Sequence, residues 1–436
     1  MGINRRILRL TLPAVATNIT VPLLALSDTT LSGHLGSEIY LGAIAAGGMM
    51  LNVVYWIFGF LRMATTGLTA EAYGASDQKA GRQVFTRSAL VALMAGLLAL
   101  VARGPLCRLL LAIISPDAEV AALAARYFDI CILGAPATLL TMTINGWFIG
   151  MQSTTRPMIV AISVNVANIA ISVSAVVWFG MGFTGVAYGS LAATWLGVAL
   201  ALGIALKGYG LKGLWSGWRE ALQGGRLKKF ASVSSELFIR SFCIMAVTLA
   251  VTSYGASLGA LTLAVNTVMM QFFIFFSYFM DGLAFSGEAL CGKSAGERDA
   301  VGVMEAVHAL NRWGLGVAAT ATLLYATLWP GITALITDVE AVREGVASMS
   351  RFLWLIPPVS AAAFLYDGFF VGLTATRRML AVTAVATALF FTFIILGPKE
   401  NPTLWWGFLA YLLTRGLGLA VQLGRVVHPL KGGGVG

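Results

Sequence analysis

Apolar runs of about twenty residues or more recur along the whole chain, and no hydrophilic stretch between them is long enough to form a separate soluble domain. A run of that length, wound as a helix, crosses the roughly 30 Å hydrocarbon layer of a bilayer. The charge content agrees: 11% of the 436 residues are charged, against about 25% in a soluble chain. The expected spans are 8–33, 40–70, 84–102, 119–149, 158–179 and 185–206, then 230–254, 258–290, 306–329, 346–373, 379–397 and 403–424. Backbone in lipid must satisfy its own hydrogen bonds, and no alternating barrel pattern appears, so all are read as helices. The fold class is an all-α integral membrane protein of about twelve transmembrane helices.

Basic residues test that count. Alternate connections hold Arg5, Arg6, Arg9; Lys79, Arg82, Arg87; Arg156; Lys207, Lys212, Arg219, Arg226, Lys228, Lys229; Lys293, Arg298; Arg377, Arg378; and Arg425, Lys431. The intervening ones hold Arg103, Arg108, Arg343 and Lys399. A bias of nineteen to four puts both termini in the cytoplasm and supports an even number of spans. The formal charge of +10 reflects the same loops, so nucleic acid is not an expected partner. A multi-pass monomer surrounded by membrane lipid, in the cytoplasmic membrane, is expected.

The longest basic, Gly-rich connection, 207–229, lies at the middle. It separates an expected N-terminal six-helix lobe, 1–206, from a C-terminal one, 230–436. The halves echo each other: LGAIA at 41–45 resembles LGALT at 258–262, and aligning Gly74 on Gly292 gives an offset of 218 beside the 217 of the first pair. Parallel repeats of this kind place a transport path at their interface or within each half.

An ionised group at mid-bilayer costs at least about 2.5–3.5 kcal/mol, so such residues are paired, neutralised or functional. Glu236 and Arg240, one turn apart, are expected to pair with each other, as are Arg126 and Asp129. Glu288 and Arg62 lie near span ends, where long side chains snorkel. Arg351 and Arg415, with Asp281 and Asp367, complete the second-half set. Asp28 differs: no basic residue lies within two turns of it on its own helix. Burial raises a carboxyl pKa, so Asp28 is the expected proton- or cation-coupling group. A polar cavity is expected around it. Asn165, Asn168 and Ser172 share one face of the fifth span, with Asn145 on the fourth and Ser190 and Thr194 on the sixth. Pro13 and Pro22 remove backbone donors from the first span and are expected to hinge it.

Other chemistries find no support. Cys107, Cys131, Cys243 and Cys291 have neither paired nor metal-ligand spacing. His34, His308 and His428 lack metal spacing as well, so neither a metal site nor an enzyme is expected.

Four stretches, LSDTTLSGHLG at 26–36, FLRMATTGLTAEAYGA at 60–75, YFMDGLAFSGEALCGKSAGERD at 278–299 and YDGFFVGLTATRRM at 366–379, resemble the multidrug and toxic compound extrusion family, within it the DinF-like branch. The resemblance implies two pseudo-symmetric six-helix lobes and antiport, with entering H+ or Na+ driving export of amphipathic, often cationic, small molecules. Asp28 matches the family's first-helix coupling aspartate, and Asn168 an asparagine near it. Ser172 stands where many relatives have a second aspartate. Glu236 and Asp367 stand where the NorM-like branch keeps sodium-linked acids. The related alternative, a lipid-linked saccharide flippase of the same superfamily, would need a strongly basic cavity, for which Arg62, Arg240, Arg351 and Arg415 are the available residues.

Overall fold

The structure, a computed structural model, describes residues 2–33, 37–114, 116–209 and 225–433; the side chains of 21, 23–29, 32–33, 208–209 and 431–433 lie outside that description. His34 and residues 210–224 of the expected linker also lie outside the described residues. The described α-helices are α1 (Ile3–Gly33), α2 (Glu38–Ile57), α3 (Phe60–Gly74), α4 (Gln78–Val101), α5 (Arg103–Ile114), α6 (Ala118–Cys131), α7 (Ala135–Gly150) and α8 (Thr155–Val177). They continue with α9 (Gly182–Tyr209), α10 (Gly225–Ser257), α11 (Ala260–Gly296), α12 (Ala300–Ile336), α13 (Glu340–Ser348), α14 (Ser350–Gly372), α15 (Thr376–Leu396) and α16 (Asn401–Val427).

Eleven stretches among the described residues are long and apolar enough to cross a membrane, with α2–α3 and α6–α7 each forming one. The 31-residue α1 covers the first expected span. Spans break where the ladder is interrupted. At Phe58–Gly59 the chain turns, with Phe58 N–H donating to Tyr55 O at 3.0 Å. Before α7 a short 3₁₀ turn, Ile132–Gly134, leads into Pro136 at the helix start, a position where a missing N–H costs nothing.

Two compact units are distinguished: residues 16–69 with 78–231, and residues 1–15 and 70–77 with 232–436. In the first, α2 packs on α6, α4 on α7, and α9 on both α7 and α8. In the second, α11 packs on α14, α12 on α14, and α16 on both α14 and α15. With α2–α3 matched to α11, and α6–α7 to α13–α14, these are the same pairings. Fully buried aromatics fill both interiors, Phe128 and Phe148 in one, Phe276, Phe369, Phe390 and Trp405 in the other.

The repeat is regular to the residue. The starts of α2, α4 and α6 (Glu38, Gln78, Ala118) recur 222 residues on as Ala260, Ala300 and Glu340. Close backbone contacts recur with them: a Cβ on Gly146 would meet the backbone of Arg62, and one on Gly368 the backbone of Ala284. Among the described residues four non-glycine residues have positive φ, in two pairs at that spacing: Ser76 (54°) with Arg298 (57°), and Gln152 (62°) with Thr374 (51°). Each ends a helix in a left-handed turn. In each the next residue reaches back: Asp77 N–H to Ala72 O at 3.0 Å, Asp299 to Ser294 at 2.9 Å, Ser153 to Phe148 at 2.9 Å and Ala375 to Phe370 at 3.0 Å.

A buried charge cluster and a polar helix face

The second unit holds a buried ion cluster. Asp367 on α14 accepts through Oδ2 from both Arg240 on α10 and Arg415 on α16. Arg240 is 4% exposed and the Asp367 side chain 14%. The Arg415 guanidinium lies over the Tyr411 ring, 5.2 Å from its centroid, and donates to the Tyr411 hydroxyl at 3.2 Å. Two guanidiniums against one carboxylate leave a net positive charge. Asp367 Oδ1 and the Nε atoms of both arginines are buried without a hydrogen-bond partner among the described residues.

The expected Glu236–Arg240 bridge does not form, because Asp367 offers Arg240 a partner from a facing helix. Glu236 is half-buried and accepts from the Thr376 hydroxyl and, at 3.0 Å, from Ser232. Arg126 and Asp129 are both exposed and form no ion pair, since solvation leaves little to gain by pairing. Glu288 does not snorkel: it is 2% exposed, held inside because its own backbone packs against Gly372 of α14. Asp281 is half-buried on α11.

In the first unit four of the polar residues singled out in the sequence make hydrogen bonds. Asn168 Nδ2 donates to Ser190 Oγ at 2.9 Å, joining α8 to α9, and the Thr194 hydroxyl donates to Ser190 O at 2.8 Å. Asn165 Nδ2 donates to Thr20 O at 3.0 Å, which ties α8 to α1. Asn168 Oδ1, Ser172 Oγ and Asn145 Oδ1 are buried with no partner among the described residues. Such groups are costly to leave unmatched. α1 continues through Pro13 and Pro22 as one helix. Asp28 lies on α1, eight residues beyond Thr20 and roughly 12 Å along the axis, but its side chain lies outside the described residues.

Sequence reasoning missed the joining of Arg240, Asp367 and Arg415, and the role of Tyr411. It also missed a second network in which Asn266 Nδ2 donates to Asn401 Oδ1 at 2.8 Å while Trp405 Nε1 donates to Asn266 Oδ1 at 2.9 Å. Its signal was an amide within the apolar start of the eighth span.

Comparison with known proteins agrees with the fold and with the resemblance. The MatE family model matches residues 13–174 and 237–395, one match in each half. The DNA damage-inducible protein F of Escherichia coli is 32% identical over 418 residues, covering 96% of this chain and 91% of that protein. A probable multidrug resistance protein NorM of Thermotoga maritima is 26% identical over 239 residues, 51% of this chain and 50% of that one. A crystal structure of a MATE protein in the bent conformation superposes with a TM-score of 0.86 at 16% identity, over 99% of this chain and 97% of that one. The chain belongs to the MatE family: it is a multi-pass membrane transporter and not an enzyme.

Proposed function

We propose that this transporter is an antiporter that exports amphipathic or cationic small molecules from the cytoplasm and is driven by protons entering through Asp28. The observation that carries the reading is the state of the acids in the second unit. Asp367 is held by two arginines and Glu236 by two hydroxyls, so neither is open to a travelling cation. A probable multidrug resistance protein among the relatives supports the class of cargo.

In this mechanism Asp28 is ionised when cargo is bound and helps to hold a cation. Proton uptake from outside neutralises it, and the cargo loses its counter-charge and leaves. The prolines at 13 and 22 let α1 change its bend as the charge changes, with the Asn165–Thr20 bond holding the segment before Pro22 to α8. The flippase alternative loses support, since two of its four candidate arginines already share Asp367.

The test is efflux of a cationic dye from proteoliposomes under an imposed pH gradient. Asp28→Asn, an uncharged stand-in for the protonated carboxyl, is expected to abolish proton-driven efflux and to weaken binding of the cationic dye. Undiminished efflux by that variant would remove Asp28 from the mechanism.

A further inference from the structure

A groove of about 650 Å³ lies in the second unit, between α11 and α12 and beside the start of α1. Its walls are apolar and aromatic: Phe275, Phe276, Phe279, Trp313, Leu324 and Tyr325. The polar groups along it are satisfied internally. The Tyr325 hydroxyl donates to Phe272 O at 2.7 Å, Thr320 to Gly316 O at 2.9 Å, and Trp313 Nε1 to Asn4 Oδ1 at 3.2 Å. Arg312, exposed at one end of the groove, is the exception: among the described residues its guanidinium has no ion pair or hydrogen bond. No acid stands three or four residues from it on α12, where the neighbours are His308, Ala309, Leu315 and Gly316.

The groove thus has one unspent positive charge at one end and a long apolar floor. Arg312 and Tyr325 are thirteen residues apart on α12, roughly 20 Å of helix. That length matches a polar head plus half of the roughly 30 Å hydrocarbon layer, which is one leaflet. The charged end is also the end nearer the basic segments Arg5, Arg6, Arg9 and Lys293, Arg298, whose excess marks the cytoplasmic side. Trp313 at the same level fits the interfacial belt.

We infer that this groove binds one anionic phospholipid of the cytoplasmic leaflet, its phosphate on Arg312 and one acyl chain along Phe275, Phe276, Phe279 and Leu324. A zwitterionic lipid brings its own cation to the same guanidinium and gains less.

The test is native mass spectrometry of the full chain in detergent, titrated with phosphatidylglycerol or phosphatidylcholine, with each variant first checked by size exclusion. Wild type is expected to hold one phosphatidylglycerol more tightly than phosphatidylcholine. Arg312→Gln is expected to weaken phosphatidylglycerol about tenfold, the scale of one charge-assisted hydrogen bond, and Arg312→Lys to keep most of the preference. Gly316→Leu, which fills the groove without touching charge, is expected to weaken both lipids. Equal affinity for the two lipids in wild type, or a phosphatidylglycerol affinity unchanged by Arg312→Gln, overturns the assignment. So does displacement by inorganic phosphate alone, which would mean a free anion rather than a lipid is recognised. Asp28→Asn is expected to bind lipid like wild type, so this result stands or falls apart from the coupling proposal.

Discussion

At the scale of single residues, the Arg240–Asp367–Arg415 cluster makes an asymmetric prediction. Removing the carboxylate leaves two buried guanidiniums unpaired, and breaking a buried pair from one side costs about 3–5 kcal/mol. Removing Arg240 instead leaves Arg415 and Asp367 as a balanced pair. Asp367→Asn is therefore expected to lower the thermal midpoint in detergent well below that of Arg240→Met. Equal losses would show that the second arginine balances something other than Asp367. A second residue-scale expectation concerns Cys107 on α5, outside the membrane-spanning helices. Burial, aided by the Asp129 charge, pushes its thiol above the ordinary range, so the thiolate that reacts is scarce near neutrality. Alkylation by maleimide is expected to be slow in the folded protein, to quicken as pH rises, and to become fast on unfolding. The three ionised members of the cluster were legible in the sequence as intramembrane charges, but their pairing was not. Sequence displays partners one helical turn apart, such as Glu236 and Arg240. Asp367, 127 residues away, becomes a neighbour of Arg240 only when α10 and α14 face each other.

At the scale of elements, the repeat converts into paired predictions. Gly146 and Gly368 sit where α7 and α14 touch the backbones of Arg62 and Ala284, and backbone cannot give way as a side chain can. Alanine at either position is expected to destabilise by about 1–3 kcal/mol, as overpacking does. Gly48 on α2 has nothing within 4 Å of a Cβ, so Gly48→Ala is expected to stabilise by about 0.5–1 kcal/mol through chain entropy alone. Opposite signs for one chemical change, read as shifts in thermal midpoint, check that contact decides. The helix-ending turns give a further case. Gln152 has φ 62°, a conformation that costs a residue with Cβ about 1–2 kcal/mol, so Gln152→Gly is expected to raise the midpoint. The spans themselves were legible because apolar length is a local property. The register of the repeat was only partly so: matching LGAIA to LGALT gave 217, five residues short of the 222 at which helix starts recur. The better signal was present at that spacing, in NGWFIG at 145–150 and DGFFVG at 367–372. It places Asn145 opposite Asp367, so one half keeps a neutral amide where the other keeps a buried ion.

That difference between the halves sets an expectation for the whole transporter. A cluster with net positive charge repels Na+, so the second half offers no sodium site at Asp367, and the proposal leaves Asp28 as a single coupling carboxylate. One carboxylate carries one proton. Exchange of one proton for one monovalent cation moves no net charge, so the pH difference supplies the drive, about 1.4 kcal/mol per unit, and the membrane potential supplies none. Proteoliposomes with the potential clamped at zero by valinomycin and potassium should therefore export a monovalent cationic dye under a pH gradient as fast as unclamped ones. A potential imposed alone, otherwise worth about 2.3 kcal/mol per charge at 100 mV, should drive no export, and neither should a sodium gradient at equal pH. Export driven by potential alone would require a second proton per cycle, and with it a second titrating acid. Export driven by sodium would require Asp28 to take that ion in place of a proton, or Asp367 or Glu236 to leave the partners that hold them.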